Sequence, residues 1–367
     1  MTSALHTATA IAGQYTSVLT QDSFLLSLLL KIAMIVGLFL TVPLVGGYLE
    51  HKVMARMQHR RGPVEAGPFG SLQLVADGIK FIQKEDIIPR AADRRIFALA
   101  PSLSLVPVLL VFVVLPFGPG VFALDLELGL FYALAASSIG VLGILMGGWA
   151  SANKFSLLGG LRAGGQLIAY ELPLIIAAIA IAVQAGTLSL VGIVDAQASF
   201  LIPGTTVNVW FVFPQIVGFA IFFLAAMAEL SRPPFDMPIA DSELVFGYMT
   251  EYTGIKFAMY MLAEYAGMIA MSALMVVLFL GGWQIAPGVP LPGCEGTAGI
   301  FDCGLAGTLL GVGVTLGKIM ALVFVMVWFR VAYPRLREDQ LQRLSWLVLV
   351  PLSLANLAVV TVLKVMF

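Results

Sequence analysis

Residues 255–282, IKFAMYMLAEYAGMIAMSALMVVLFLGG, decide the fold of this chain. The stretch is longer than the roughly 20 residues that a helix needs to cross a bilayer. It contains one carboxylate, Glu264, far from either end. The stretch therefore predicts a membrane-spanning helix with an acidic group inside the apolar layer.

The rest of the chain repeats this pattern. Further apolar runs lie at about 24–49, 95–117, 130–151, 166–186, 208–230, 306–332 and 346–366. Charged residues make up 11% of the chain, against about 25% in ordinary soluble domains. We therefore predict an all-α polytopic membrane protein with eight transmembrane helices, in a single membrane domain over residues 1–367. No basic segment or cleavage site precedes the first run, so we expect it to be retained.

Among the connections between the apolar runs, only every second one carries lysine or arginine. The N-terminal tail and the segments near 118–129, 187–207 and 283–305 contain neither residue. The positive-inside rule therefore predicts that both termini lie on the outer side of the membrane. The formal net charge of −1 gives no sign of a nucleic-acid partner.

One segment between the first two runs, at about 70–84, is amphipathic. Its apolar residues at helical spacing are Leu72, Val75, Ile79 and Ile82, and its polar residues are Gln73, Asp77, Lys80 and Lys84. This spacing predicts an interfacial helix that lies in the plane of the inner membrane surface. An ordinary surface helix is the alternative.

Few residues are suited to hold a metal or haem. The two cysteines, Cys294 and Cys303, are too few for an iron–sulfur cluster and form no CxxC pair. None of the three histidines lies well inside an apolar run. We therefore predict no metal site and no cofactor bound by this chain alone. In an outer loop the two cysteines are open to two interpretations, a disulfide or two free thiols.

Carboxylates occur within or at the ends of the apolar runs, where a charged group costs about 2.5 to 3.5 kcal/mol on insertion scales. They are Glu50, Glu171, Glu229 and Glu264. Each is a candidate for a proton path, and a static ion pair or a side chain that reaches the interface is the alternative for each.

The densest group of acids follows the fifth run, in AELSRPPFDMPIADSELVFGYMTEYTG at 228–254. Its three prolines forbid a continuous helix, so the backbone is expected to be irregular and to line a cavity. We predict an acidic cytoplasmic loop at about 229–254 that forms a water-filled funnel whose carboxylates share protons. A solvated docking surface is the alternative. The charged residues of the loop are Glu229, Arg232, Asp236, Asp241, Glu243 and Glu251.

Several segments together resemble one family. They are ARMQHRRGP (55–63), GPFGSLQLVADGIKFIQKEDIIP (67–89), LLGGLRAGGQLIAYELPL (157–174), AELSRPPFDMPIADSELVFGYMTEYTGIKFAMYMLAEYAGM (228–268) and PRLREDQL (334–341). These segments are similar to the H-subunit family of bacterial NADH:quinone oxidoreductase, the proton-pumping respiratory complex I. Departures from the family pattern occur at His51, Val64, Ala332 and Leu347.

The resemblance implies an eight-span subunit without a redox cofactor, at the junction of the membrane and hydrophilic arms. Quinone would be the substrate, and FMN and the iron–sulfur clusters would lie in partner subunits, so this chain itself would supply no catalytic redox group. By position, the resemblance assigns the quinone chamber and acidic funnel to Arg56, Arg61, Asp77, Glu229, Arg232, Asp236, Asp241, Glu243 and Glu251. It assigns the proton path to Glu50, Glu171 and Glu264.

The resemblance also implies partners: other membrane-arm subunits, the hydrophilic quinone-site subunits and membrane lipid. Two other functions are alternatives to a complex I subunit. One is the equivalent anchor subunit of a membrane-bound hydrogenase-type complex. The other is a stand-alone secondary transporter, which the lack of an inverted repeat disfavours.

Overall fold

The computed structural model describes residues 24–199, 208–287, 289, 292, 294–295 and 302–366. The described chain is almost entirely helical. Its α-helices are α1 (Phe24–Met57), α2 (Gln73–Gln83), α3 (Arg94–Val114), α4 (Gly129–Ala150), α5 (Lys154–Ala185), α6 (Leu190–Ser199), α7 (Ile216–Glu229), α8 (Asp241–Leu244), α9 (Gly254–Phe279), α10 (Leu305–Ala332), α11 (Glu338–Arg343) and α12 (Val350–Met366). Short 3-10 turns lie at Pro68–Gly70 and Gly247–Met249, and a π-helical segment at Leu344–Leu349.

Among these residues, seven helices are long and apolar enough to cross a membrane. The predicted all-α polytopic membrane fold is confirmed, but the count of eight is not. The run at 208–230 yields only α7, whose 14 residues extend about 21 Å against a hydrocarbon core of about 30 Å. Pro214 explains the short helix, because a proline disfavours helical backbone in the residue before it.

Two spans extend beyond their apolar runs on the side of the acidic loop. Helix α1 continues through Glu50 to Met57. Helix α5 begins at Lys154, twelve residues before its apolar run, because the Asn153 side chain accepts a hydrogen bond from the Phe155 N–H at 2.9 Å. The glycines in this first part of α5 allow close packing. A Cβ on Gly159 would stand 2.7 Å from the Gly247 Cα, which only a bare glycine avoids.

Helix α9 lies at the centre of the bundle and packs against α1, α3 and α10. Every residue from Ala266 to Phe279 is buried. Glu264 therefore stands just before the fully buried half of the helix, on the side of the acidic loop. A carboxylate in this position must have charged or polar partners within the protein.

Helix α2 connects α1 to α3. Four of its apolar side chains remain between 44% and 70% exposed, which leaves this face uncovered by the part of the chain that the structure describes. They are Leu72, Val75, Ile79 and Ile82. The amphipathic helix is therefore present at Gln73–Gln83, and its position in the membrane plane stays a prediction.

The opposite end of α9 is closed by a lysine from α10. Lys318 Nζ donates hydrogen bonds to the carbonyl oxygens of Leu280, Gly282 and Gln284 at 2.6, 3.0 and 2.6 Å. The same ammonium lies 4.4 Å from the ring centroid of Trp210. The three carbonyls lie in the turn that follows Phe279, so this single side chain fastens the turn after α9 to α10.

A two-stranded antiparallel ribbon precedes α10, formed by β1 (Cys294–Glu295) and β2 (Asp302–Cys303). The backbone register places Cys294 opposite Cys303. The side chains of both cysteines fall outside the described part of the chain, so the two interpretations, a disulfide or two free thiols, both stay open.

Candidate functional site

The site begins where α7 ends and the acidic loop turns back into the protein. The Arg232 N–H bonds to the Met227 carbonyl at 3.3 Å, and the Phe235 N–H bonds to the Arg232 carbonyl at 2.8 Å. This turn points the Arg232 side chain inward, where the residue is only 1% exposed. Such a buried guanidinium requires acidic partners.

Arg232 has two acidic partners and an aromatic one. Its Nη1 lies 2.6 Å from Glu50 Oε2, and its Nη2 lies 3.2 Å from Glu264 Oε1. The Tyr265 ring centroid is 4.9 Å from its Cζ. Burial opposes the charge on Arg232, but Glu50 and Glu264 outweigh that effect and raise the pKa of the guanidinium above its ordinary value. Arg232 therefore stays positively charged.

A second arginine completes the group. Arg330, in the last turn of α10, donates a hydrogen bond to the other oxygen of Glu50. We call Glu50, Arg232, Glu264 and Arg330 the charge cluster. It joins α1, the acidic loop, α9 and α10, and its charges sum to zero when all four groups are ionised. Such mutual pairing is what permits ionised groups to exist away from water.

Two cavities meet at Glu264. The first has a volume of about 110 Å³ and the second about 150 Å³, so each has room for several waters at the roughly 10–15 Å³ that one water needs on this measure. Glu264, Ser231 and Ile239 line both. Glu264 is thus the carboxylate through which a proton could pass from one cavity to the other.

The first cavity connects Glu264 to Glu229, the last residue of α7. Ser137 of α4 also lines it, and one oxygen of Glu229 is buried without a hydrogen-bond partner among the described residues. Glu171 of α5 is close enough to Glu229 to interact with it electrostatically. The three carboxylates therefore form a sequence from α9 through α7 to α5.

The second cavity lies between Glu264 and the acidic loop. Asp236, Tyr265 and Arg330 contribute to its wall. Asp236 also interacts electrostatically with Tyr248, which lines the first cavity. Burial, with the charges of Glu264 and Asp236, raises the pKa of Tyr248 well above its ordinary value. Tyr248 therefore remains a hydrogen-bond donor beside the path.

The other acids predicted from the loop lie apart from the charge cluster. Glu243 is exposed and pairs with Arg162 at 2.6 Å and with Arg335 at 3.5 Å. Glu251 accepts a hydrogen bond from Asn153 Nδ2 at 2.6 Å, at the start of α5. Asp241 begins α8, and its side chain is outside the described part of the chain.

The predicted chamber residues of the first connection are also separate from the cluster. Arg56 and Arg61 are exposed at and beyond the end of α1. Asp77 is half-buried on α2 and accepts weak hydrogen bonds from Gln73 Nε2 at 3.3 and 3.4 Å. Of the residues that depart from the family pattern, His51, Val64 and Leu347 are exposed, and Ala332 ends α10.

Sequence reasoning missed Arg330, Tyr248 and Tyr260. For Arg330 a signal existed, because a basic residue inside an apolar run carries the same insertion cost as a buried acid. The two tyrosines line the first cavity with their rings 5.3 Å apart. Nothing in the sequence distinguished them from other aromatic residues. Within the described ranges, no group of three or more His, Cys, Asp or Glu residues could hold a metal ion.

Comparison with known proteins identifies the family. Residues 30–361 match the family model described as NADH dehydrogenase. The chain is 43% identical over 336 residues to the NADH-quinone oxidoreductase H subunit of Geobacillus kaustophilus, covering 91% of this chain and 93% of the relative. It is 44% identical to the H subunit of Geobacillus thermodenitrificans and 45% identical to that of Bacillus cytotoxicus, each over 87% of this chain and 88% of the relative. The chain therefore belongs to the family of NADH-quinone oxidoreductase H subunits.

Proposed function

We propose that this chain, a membrane subunit of the multisubunit, proton-translocating NADH-quinone oxidoreductase, forms the membrane side of the quinone chamber and couples quinone reduction to proton translocation. The observation that carries the proposal is the position of Glu264. It binds Arg232 of the charge cluster and lines both cavities. One carboxylate can thus respond to charge on the side of the loop and exchange protons on the side of Glu229.

The coupling follows from charge balance. Reduction of a quinone takes up protons as well as electrons, and the electrons would come from FMN and iron–sulfur clusters in partner subunits. A proton lost from Glu264 toward the second cavity leaves a negative charge beside Arg232. That charge favours the arrival of another proton from Glu229 through waters in the first cavity. Carboxylates this close titrate together, so a change at one alters the protonation of the next.

Glu171 extends the path beyond Glu229. We infer that protons move from Glu171 through Glu229 to Glu264, or in the reverse direction when the charge at the loop changes sign. Glu50 remains ionised between Arg232 and Arg330 and holds the cluster together, rather than carrying protons itself.

The remaining predicted residues suit the surface where the hydrophilic arm would dock. Glu243 with Arg162, and the exposed Arg56 and Arg61, offer charges of both signs to partner subunits. Asp77, Asp241 and Glu251 would border the chamber entrance. The membrane would be the bacterial inner membrane, with both termini on its periplasmic side. The relatives favour this assembly over a hydrogenase anchor or a stand-alone transporter.

Substitution Glu229→Gln tests the path. This change keeps the size and a polar end group but removes the exchangeable proton. In assembled complex in membrane vesicles, we expect NADH:quinone turnover and proton translocation to fall by about tenfold or more. Glu127→Gln is the matched control, because Glu127 is exposed in the loop between α3 and α4.

Full turnover and full proton translocation in assembled Glu229→Gln complex would remove Glu229 from the path. A loss of assembly equal in both variants would be uninformative about protons, so the amount of intact complex is measured in the same preparations. Loss in Glu229→Gln alone, with normal assembly, supports the proposal.

A further inference from the structure

Gln166 of α5 binds two separate parts of the backbone around the charge cluster. Its Nε2 donates to the carbonyl oxygens of Ala228 and Phe235, both at 2.7 Å. The residue is fully buried. Its Oε1 has no hydrogen-bond partner within the described residues. The amide is thus oriented by its two donor hydrogens alone.

The two carbonyls lie at the end of α7 and just beyond it. The Ala228 carbonyl, in the last turn of α7, also accepts from the Ser231 N–H at 3.0 Å, so Gln166 gives it a second donor. Phe235 lies in the proline-broken segment after α7, where no helix continues, and its carbonyl accepts from Gln166. One amide thus joins the two carbonyls through its two N–H groups.

The residues next to these carbonyls are the ones on which the proposed path depends. Ala228 precedes Glu229, Phe235 precedes Asp236, and Arg232 lies at the apex of the segment between them. The amide therefore closes the segment at its base. It fixes the distance between the carboxylate on α7 and the guanidinium that holds Glu264.

The surroundings of Gln166 are rigid. Tyr170, one turn further along α5, packs edge-on against Phe235 with ring centroids 5.6 Å apart. Its hydroxyl donates to the Leu341 carbonyl at 2.9 Å. The Leu336 N–H also bonds to the Pro234 carbonyl at 3.1 Å. Gln166 is therefore held in a packed layer between α5, the loop and the segment after α10.

We propose that Gln166 is a positioning residue for proton transfer, because it ties Ala228 to Phe235 and thereby sets Glu229 relative to Arg232 and Glu264. This inference rests on the proposed function. It adds a neutral residue that exchanges no proton itself and acts only through the two hydrogen bonds that it donates.

Gln166→Glu tests this role through pH. The substituted carboxyl group has one O–H donor when protonated and none when ionised, and in the ionised form it faces two carbonyl oxygens. Turnover and proton translocation of this variant, each divided by the wild-type value at the same pH, should therefore rise as the pH falls. We expect a change of about tenfold across the accessible range, as for other small displacements of reacting groups.

Gln166→Met supplies the state without donors at every pH. It keeps the length of the side chain. Its turnover and proton translocation, each divided by the wild-type value at the same pH, should be low and independent of pH. The matched control is Gln342→Met, because Gln342 is only half-buried and its Nε2 donates to a single carbonyl of the described chain, that of Gly165, at 3.3 Å. The turnover and proton translocation of this control variant should equal those of wild type.

The proposal is overturned if Gln166→Met keeps wild-type turnover and translocation, or if the Gln166→Glu ratio does not change with pH. If Gln166→Met does not assemble, Gln166→Glu still decides, because its two protonation states are compared within one assembled preparation. If the relative turnover of Gln166→Glu does not change with pH while Glu229→Gln loses most of its turnover, the positioning role is rejected and the carboxylate path stands.

Discussion

Arg232 and Glu50 form a buried ion pair, with Nη1 and Oε2 2.6 Å apart, although 182 positions separate the residues in the chain. Both are at most 2% exposed. The pair fastens α1 to the acidic loop, and Arg330 adds α10 through the same carboxylate. Removing one member of such a pair leaves a buried charge without its partner, which costs about 3–5 kcal/mol.

Arg232→Lys is expected to weaken the cluster although it keeps the positive charge. The guanidinium contacts Glu50 and Glu264 with separate nitrogens. The lysine ammonium is a single, compact nitrogen and cannot contact both carboxylates in the same way. We expect turnover to fall by about tenfold and the melting temperature of the complex to drop. The measurements are NADH:quinone activity and thermal unfolding of purified complex.

Arg337→Lys is the control for this change. Arg337 pairs with Asp339 at 2.7 Å, but its side chain is 79% exposed, and water and salt screen such a pair, so it contributes little to stability. An equal effect of the two substitutions would contradict the special role of the buried cluster.

Glu264→Gln should separate the two cavities with respect to protons. The amide keeps the size of the side chain beside Arg232 but cannot exchange a proton between the cavities. We therefore expect assembly to be nearly normal and both turnover and proton translocation to fall by at least about tenfold. Normal translocation in assembled Glu264→Gln complex would show that protons bypass this residue.

Glu243→Gln should have little effect on turnover, in contrast to Glu264→Gln. Glu243 is exposed, and the hydrogen bond from Arg162 together with the charge of Arg335 lowers its pKa below the ordinary value of 4.5. A lowered pKa stabilises the fold above the unfolded-state pKa, and this contribution is lost only as the pH falls through the lowered value.

The Glu243 ion pair is therefore intact throughout the neutral range. Because it is solvent-screened, its removal should change stability by no more than about 1 kcal/mol. Thermal unfolding of the complex measures this. A severe loss of turnover with normal assembly would instead place Glu243 within the functional funnel.

Asp195→Asn should remove a pH dependence of stability. Burial of Asp195 on α6, and the nearby charge of Asp125, raise the pKa of Asp195 from 3.8 to about 7. The raised pKa means that the folded state favours the protonated acid. Its stabilising contribution is present at low pH and is lost as the pH rises through about 7.

The melting temperature of wild-type complex should accordingly fall as the pH rises from about 4 to about 7. The melting temperature of Asp195→Asn complex should fall less over the same range. Asn cannot ionise and keeps the shape of the protonated acid. Ser189→Ala is a useful companion, because Ser189 donates to Asp125 rather than to Asp195. Identical pH profiles for wild type and Asp195→Asn would refute the assignment.

The sequence was sufficient for the spans whose apolar runs are uninterrupted, since length and hydropathy alone determine that such a run crosses a bilayer. It did not predict that the helix within the run at 208–230 begins only at Ile216, after Pro214 and Gln215. Gln215 Nε2 bonds to the Ala180 carbonyl at 3.2 Å. Such tertiary contacts leave no periodic signal in the sequence.

The acids of the candidate site could be recognised by residue type, but not their arrangement. Insertion cost singled out Glu50, Glu171, Glu229 and Glu264, and in the structure Glu50 and Glu264 have an arginine partner. It could not show that Arg232 joins Glu50 to Glu264, because the partners lie on helices far apart in the chain. Nor could it separate Glu243 from the others, since a carboxylate in an acidic loop has the same sequence signal at the surface as in a cavity.

The lysine that closes the far end of α9 has a consequence for the direction of charge movement. Lys318 places an ammonium among three carbonyls at the end of the helix opposite the charge cluster. A positive charge at that point would repel an arriving proton, as cationic barriers do in proton-excluding pores. The proposed carboxylate path would therefore run across the bundle, from α9 through α7 to α5, rather than along the axis of α9.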